Sequence, residues 1–233
     1  MKNIEDQKRR HIINIQKNPI LYSFKRCPYA MRARMALKIA NIKCEIREVR
    51  LNNKPKHMLN VSPKGTVPIL IFEDRIIEES MEIIDWVLKE KNIFQDHLSS
   101  DEKNITADSI KLFDTKFKNH LDRYKYSTRY ENINIELHRT ECIKILIELE
   151  KHITSASVNW IFGNSPSKLD ISILPFVRQF RIANPNWFDQ QSEIKKVRKV
   201  LNNFIQSNLF KQIMHDYEVW NEGDRPVYFP LDQ

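Results

Sequence analysis

The feature that most constrains the fold is a change in hydrophobic pattern near residue 92. Between residues 19 and 92, short β-branched or aromatic runs alternate with helix-forming stretches, which predicts the order β-α-β-(α)-β-β-α. After Asn92 the strand signals stop and apolar residues recur at helical spacing. A helix joins the first two strands, so they are expected to run parallel, whereas a tight turn makes the last two an antiparallel hairpin.

This pattern predicts an α/β domain with a thioredoxin-like plan, followed by an all-α C-terminal domain. We assign the segments as an N-terminal extension (1–18), the thioredoxin-like domain (19–92), a polar linker (93–103) and the helical domain (104–233). The chain of 233 residues is long enough for both domains to bury a core.

The second half contains one well-marked helix start, in the stretch SPSKLDISILPF. Ser167 is predicted to be the N-cap and Asp170, three residues on, completes a capping box. Beyond these helices, the tail GDRPVYFPLDQ is extended in character, and we expect it to pack back on the helical domain.

The chain has three cysteines, and this odd, sparse count argues against a disulfide framework. No C-x-x-C motif and no Cys/His cluster with zinc spacing occurs, so we expect monothiol chemistry and no metal. Cys44 lies in a predicted strand and Cys142 in a predicted helix, so both are interpreted as small buried hydrophobic residues.

Cys27 has a different setting, in the stretch SFKRCPYAMRARMAL. It lies between a predicted strand and a helix that Pro28 is well suited to begin. The unpaired N–H groups and positive dipole at a helix start favour a thiolate over a thiol. Basic side chains nearby add to this effect: Lys25, Arg26, Arg32 and Arg34. Because the thiolate is the nucleophile in thiol exchange, Cys27 is the predicted reactive residue.

Charge is distributed unevenly along the chain. The net charge is +8, but residues 1–56 alone hold 15 Lys/Arg and 4 Asp/Glu. Such a basic segment could attract nucleic acid or steer a small anion into a cleft, but we interpret it as a solvated basic face, and we do not expect nucleic-acid binding because no recognition motif accompanies it. No apolar run is long enough for a membrane span and the N-terminus does not read as a secretory signal, so we expect a cytoplasmic protein without membrane contact.

Four separated elements together resemble the cysteine-type glutathione transferases, above all the omega class and related bacterial enzymes. These elements are CPYA after a strand, then VP, then ES, and finally the capped helix of SKLDISILPF. The resemblance runs from about residue 19 to the end and implies the glutathione transferase architecture and a homodimer. Glutaredoxins share the first part of the pattern, usually with a second cysteine where this chain has Ala30.

The resemblance also implies which residues bind glutathione as the co-substrate. Cys27 would be the catalytic nucleophile that forms a mixed disulfide with it. The other implied roles are Tyr29 beside the thiol, Lys54 at the glycine end, Val67 pairing through its backbone, a cis Pro68, Glu79 on the γ-glutamyl ammonium and Ser80 on its carboxylate. Taken singly, several also fit plainer roles, namely a turn proline, a helix cap and solvated charges.

The implied activity is that of a thiol transferase or dehydroascorbate-type reductase, with a small-molecule or protein mixed disulfide as the second substrate. Ala30 supplies no resolving thiol, so a second glutathione is needed to release Cys27. Two alternatives remain open. One is a non-catalytic scaffold or regulator that binds a protein partner, as the stringent-starvation regulator of this fold does. The other is conjugation to electrophiles, disfavoured because Tyr22 and Ser23 lie back in the strand.

Overall fold

The computed structural model describes residues 18–91, 93–94, 98–153 and 158–231, and these form two compact units. The first unit contains the described residues up to Ile93 together with those from Asn208 onward, and the second runs from Phe94 to Ser207. The predicted extension lies outside the described residues except for Asn18, and the predicted linker is described only in part.

The first unit is an α/β structure with a thioredoxin-like plan, as predicted. Its elements up to Ile93 are β1 (Ile20–Ser23), α1 (Pro28–Ile39), β2 (Cys44–Glu48), α2 (Lys56–Val61), β3 (Ile69–Phe72), β4 (Arg75–Ile77) and α3 (Ser80–Glu90). Helices α1 and α3 pack against each other. Three alanines of α1, Ala30, Ala33 and Ala36, are completely buried, and their small side chains allow this close packing.

A mixed sheet forms the centre of the first unit, and β1 lies in its middle. Leu21 of β1 lies opposite Ile46 of the parallel strand β2 and opposite Leu70 of the antiparallel strand β3. Leu70 in turn pairs with Ile77 of β4 in the predicted antiparallel hairpin. Because β1 has neighbours on both edges and packing on both faces, all four of its residues are buried.

The end of the chain belongs to this first unit, so the expectation that the tail packs on the helical domain is wrong. Helix α10 (Asn208–Ile213, numbered after the helices below) packs against α1, and strand β5 (Tyr228–Phe229) pairs antiparallel with β2. Without β5 the backbone groups of β2 would form a sheet edge. Residues 208–231, which the sequence-based division assigns to the helical domain, therefore group with the α/β unit.

The second unit is helical, as predicted. Its helices are α4 (Ser100–Leu112), α5 (Lys118–Lys125), α6 (Ile135–His152), α7 (Lys168–Ala183), α8 (Pro185–Asp189) and α9 (Lys195–Gln206). A π-helical turn, Phe113–Phe117, connects α4 to α5. Within the described part of the chain, no helix is both long and apolar enough to cross a membrane.

Helix α7 begins with the predicted capping box. The Oγ of Ser167 accepts a hydrogen bond from the N–H of Asp170 at 3.3 Å, and the Asp170 carboxylate accepts one from the N–H of Ser167 at 2.8 Å. The same carboxylate accepts a third bond from the N–H of Ile161 at 2.9 Å. The box thus satisfies the start of a helix whose first half is largely buried, and it also holds the preceding loop.

Candidate active site

Strand topology brings three separate segments to the same end of the sheet, where the strands begin or finish. Strand β1 ends where β3 begins, because Tyr22 pairs with Ile69 in an antiparallel ladder. Strand β4 runs antiparallel to β3 and finishes at the same end of the sheet, with Ile77 opposite Leu70. The loop before α1, the loop before β3 and the start of α3 therefore lie on the same side of the sheet.

Cys27 is the N-cap residue of α1, and Pro28 is the first helical residue. Its own N–H donates to the carbonyl of Phe24 at 3.0 Å, and its carbonyl accepts from Met31 at 2.9 Å. The thiol makes no capping hydrogen bond to the helix. Instead Sγ, which is half-buried, donates to the backbone oxygen of Val67 at 3.7 Å. The sulfur thus lies at the positive end of a helix, where a thiolate is favoured.

The loop that faces the thiol contains the Val67–Pro68 bond, which is cis, as the resemblance implied. Val67 is buried, with 7% of its surface exposed. Gly65, two residues earlier, has a φ of +61°, in the left-handed region that favours glycine, and a Cβ there would lie 3.1 Å from the Cδ2 of Leu59. The Nζ of the half-buried Lys54 lies 3.4 Å from the same point, so Lys54 lies against this loop.

Glu79 and Ser80 form the start of α3, Glu79 as N-cap and Ser80 as first residue. The exposed Glu79 carboxylate accepts a hydrogen bond from Lys64. Ser80 is buried and its Oγ accepts from the guanidinium of Arg32 at 3.4 Å. The Cζ of Arg32 also lies 5.4 Å from the ring centre of Tyr29. Arg32 therefore links two of the predicted binding residues, Tyr29 and Ser80.

Among the predicted residues, Cys27 and Val67 are joined by a hydrogen bond. Arg32 connects Tyr29 with Ser80, and Lys64 donates to Glu79, and the sequence reasoning selected neither side chain as a binding residue. Lys64 belongs to the loop before β3 and holds Glu79, while Arg32 was considered only as a positive charge near the thiol. The structure buries Arg32 and Arg34 almost completely, at 0% and 1% exposure. A signal was present in the sequence, because both arginines stand among alanines and methionines in a helix without a polar face.

The other two thiols are inert by position, as expected. Cys44 and Cys142 are completely buried, and burial raises the pKa of both thiols well above the usual range. Across the described ranges, no group of three or more histidine, cysteine, aspartate or glutamate side chains is placed to hold a metal ion.

Comparison with known proteins identifies the family to which this arrangement belongs. The model of the glutathione S-transferase N-terminal domain matches residues 21–93, and that of the C-terminal domain matches residues 128–207. Together they cover about two thirds of the chain. The chain belongs to the glutathione S-transferase family.

Within this family, the similarity is to omega-type members. Glutathione S-transferase omega-1 of Rattus norvegicus is 29% identical over 172 residues, which span 71% of this chain and 68% of that protein. The chloroplastic glutathione S-transferase DHAR3 of Arabidopsis thaliana is 31% identical over 65 residues, or 28% of this chain and 25% of that protein.

The glutathione transferase fold is also found among solved structures. A glutathione transferase from Pseudomonas putida, crystallised with one glutathione disulfide bound per subunit, matches with a TM-score of 0.72 and 18% identity. The match covers 91% of this chain and 97% of that chain. The glutathione transferase architecture predicted from the sequence is therefore confirmed.

Proposed function

We propose that this glutathione transferase is a thiol transferase that uses Cys27 as its single nucleophile and glutathione as co-substrate. The observation that carries the proposal is the position of Cys27, whose sulfur lies at the start of α1 and faces the backbone oxygen of Val67. The helix start favours the thiolate, and the facing backbone offers hydrogen-bonding groups to an extended peptide.

The proposed reaction is two successive thiol–disulfide exchanges. The Cys27 thiolate attacks the glutathione sulfur of a mixed disulfide, which breaks the S–S bond and releases the substrate as a thiolate. A second glutathione thiolate then attacks the Cys27–glutathione disulfide, releasing glutathione disulfide and regenerating Cys27. The net reaction reduces one mixed disulfide to the substrate thiol and oxidises one free glutathione, which leaves as glutathione disulfide together with the glutathionyl group of the substrate. Ala30, where a resolving cysteine would stand, is completely buried and has no thiol.

The surrounding residues are proposed to bind the three ends of glutathione. The Glu79 carboxylate would pair with the γ-glutamyl ammonium, and the N–H groups at the start of α3, beginning at Ser80, would receive the neighbouring carboxylate. Lys54 would pair with the carboxylate at the glycine end. Tyr29 and the Val67–Pro68 backbone would flank the cysteinyl part between them.

The hydroxyl groups near the site favour thiol transfer over conjugation to electrophiles. The Tyr22 hydroxyl accepts from Arg47 at 2.7 Å and lies 2.6 Å from the Nδ1 of His57, and the Ser23 hydroxyl accepts from Arg34. Both hydroxyl groups are buried within or at the end of β1. Neither is positioned at the helix start, where a hydroxyl would have to activate the thiol of bound glutathione.

The test is glutathione-dependent reduction of a small mixed disulfide by wild type and Cys27→Ser, with Cys142→Ser as the matched control. We expect activity in the wild type and the control and none in Cys27→Ser. Activity in none of the three proteins would contradict the proposal and favour the scaffold alternative, which retention on glutathione resin would then probe. Light scattering at micromolar concentration tests the homodimer that the resemblance implies, since a single-chain mass would contradict it.

A further inference from the structure

A buried arginine, Arg34, forms hydrogen bonds with residues that come shortly before the nucleophile Cys27 in the chain. Arg34 is two helical turns after Cys27 in α1 and only 1% exposed. Its Nη2 donates to the backbone oxygen of Lys25 at 2.6 Å, and its Nη1 donates to the Oγ of Ser23. Both acceptors belong to the segment that joins β1 to Cys27, so this guanidinium fixes the segment from inside the protein.

A buried carboxylate holds the same loop residue from the other side. The Oε1 of Glu48, at the end of β2, accepts a hydrogen bond from the N–H of Lys25 at 2.6 Å. The backbone N–H and carbonyl of Lys25 are therefore held by two opposite charges. The N–H of Cys27 closes the turn by donating to Phe24 at 3.0 Å. We call the pair of Arg34 and Glu48 the charge clamp.

The two members of the charge clamp act on the thiol with opposite sign. Burial lowers the pKa of Arg34 to about 10, opposed by the negative charges of Glu48 and of the Cys27 thiolate, so Arg34 remains charged at neutral pH. Interaction between two charges is mutual, so the guanidinium favours the thiolate, and the Glu48 carboxylate, whose charge acts on the same guanidinium, partly offsets this effect. The other titratable groups that face the clamp are the side chains of Lys25, Asp216 and Tyr217.

We propose that Arg34 and Glu48 are positioning residues for Cys27, which together fix the loop before the nucleophile and set the balance between thiol and thiolate. This inference rests on the proposed role of Cys27 as nucleophile. It goes beyond that role because it assigns the reactivity of the thiol to two side chains that hold the backbone of Lys25, two residues before the nucleophile.

The experiment is the pH dependence of Cys27 alkylation by iodoacetamide, which requires no glutathione. Cys44 and Cys142 are buried, so intact-mass measurement is expected to show one labelled thiol in the native protein. Arg34→Met should raise the pKa at which Cys27 begins to react and slow alkylation at pH 6 by roughly three- to tenfold, as a shift of 0.5 to 1 unit requires. Glu48→Gln keeps an oxygen for the N–H of Lys25 but removes the negative charge, so it should shift that pKa downward.

The pKa of Cys27 should therefore rise in Arg34→Met and fall in Glu48→Gln. If both residues were merely structural, both substitutions would disturb the loop and shift this pKa in the same direction. Arg47→Met is the matched control, because Arg47 is also a buried arginine of this unit but bonds Glu45 and Tyr22 instead. It should leave the profile unchanged. If Arg34→Met does not fold, the proposal is tested by the pKa of Cys27 in Glu48→Gln alone. An unchanged or raised pKa in that variant overturns the proposal.

The wild-type profile separates this inference from the proposed function. A wild-type inflection at or above about 8.5, the ordinary value for cysteine, would contradict Cys27 as the activated nucleophile and thereby overturn both proposals. An inflection below that value with no opposite shifts in the two variants would overturn the charge clamp and leave the nucleophile standing.

Discussion

At the scale of single residues, Glu79 already has a cation as its neighbour. Its carboxylate accepts a hydrogen bond from Lys64, and both side chains are about half exposed. This hydrogen bond raises the pKa of Lys64, so the ammonium stays charged across the neutral range. In the proposed function, the γ-glutamyl ammonium would have to bind a carboxylate that Lys64 already holds, and the two cations would compete.

Lys64→Met is therefore expected to strengthen glutathione binding. An exposed ion pair contributes about 0–1 kcal/mol, so the KM for glutathione should fall by no more than about fivefold while kcat stays unchanged. Steady-state kinetics with a mixed disulfide would measure this change. Lys89→Met is the control, because it removes the same charge from an exposed position of α3. A KM that rises in Lys64→Met would show that Lys64 binds glutathione rather than competing with it.

At the scale of elements, the protein contains two capping boxes in contrasting environments. The box at α4 is exposed, with Ser99 as N-cap and Glu102 as its partner. The box at α7 is buried, and burial raises the pKa of Asp170 to about 6 in spite of the hydrogen bonds that favour its ionised form. The contribution of Asp170 to stability should therefore depend on pH.

We predict that the cost of Asp170→Asn is larger at pH 4 than at pH 7. The pKa of this carboxyl is about 6 in the folded state against an ordinary 3.8, so the folded state binds the proton more tightly. Its contribution to stability is thus complete below about pH 4 and lost as the pH rises through 6. The difference in cost between the two pH values should be about 2 kcal/mol, since one pKa unit corresponds to about 1.4 kcal/mol and the unfolded carboxyl is already partly ionised at pH 4.

Urea unfolding followed by circular dichroism at both pH values measures this difference. Glu102→Gln in the exposed box is the matched control for losing a capping carboxylate, and it should cost about 1 kcal/mol. An Asp170→Asn penalty that is equal at the two pH values, or larger at pH 7, would contradict the prediction.

The elements of the first unit were predictable because their signals are local. The Glu73-Asp74 turn indicated the hairpin, and Pro28 marked the start of α1. In the second unit, the pair of Ser167 and Asp170 marked the start of α7 in the same local way. The position of β5 was not predictable in this way. Its two residues carry no strand periodicity, and its pairing with β2 depends on contacts between residues about 180 positions apart.

The residues of the candidate site also differ in whether a local sequence signal predicted them. Cys27 was predictable from its place between a strand and a helix, and the family resemblance supplied the other binding residues. Arg34 and Glu48 escaped prediction because their roles depend on burial and on the direction of their hydrogen bonds. The alanines and methionines around Arg34 indicated that it is buried, but no pattern in the sequence indicated which backbone groups it would bond.

At the scale of the whole molecule, the first unit is built from two distant parts of the chain. Phe229 is completely buried where β5 meets β2, and it lies opposite Cys44. Two residues on, Leu231 is 46% exposed. The strand at the end of the chain therefore covers a thiol near its beginning.

We predict that Phe229→Ala makes Cys44 accessible to alkylation. Removal of a buried phenylalanine costs about 3–5 kcal/mol, and here the loss should loosen β5 from the sheet. Mass spectrometry after brief iodoacetamide treatment should then show label on Cys44 as well as on Cys27. Leu231→Ala is the control and should leave Cys44 unlabelled. Protection of Cys44 in Phe229→Ala would mean that β5 does not determine access to this thiol.

The order in which the chain is made gives β5 a further consequence. During synthesis an N-terminal domain ordinarily folds before the residues that follow it have been added. In this protein the backbone N–H of Trp220 donates to the carbonyl of Glu48, and Asp216 forms an ion pair with Lys25. Strand β2 likewise pairs with β5, which is synthesised much later. The α/β unit therefore reaches its final form only after residues 208–229 have been synthesised, so a chain that stops before them would lack a finished Cys27 loop.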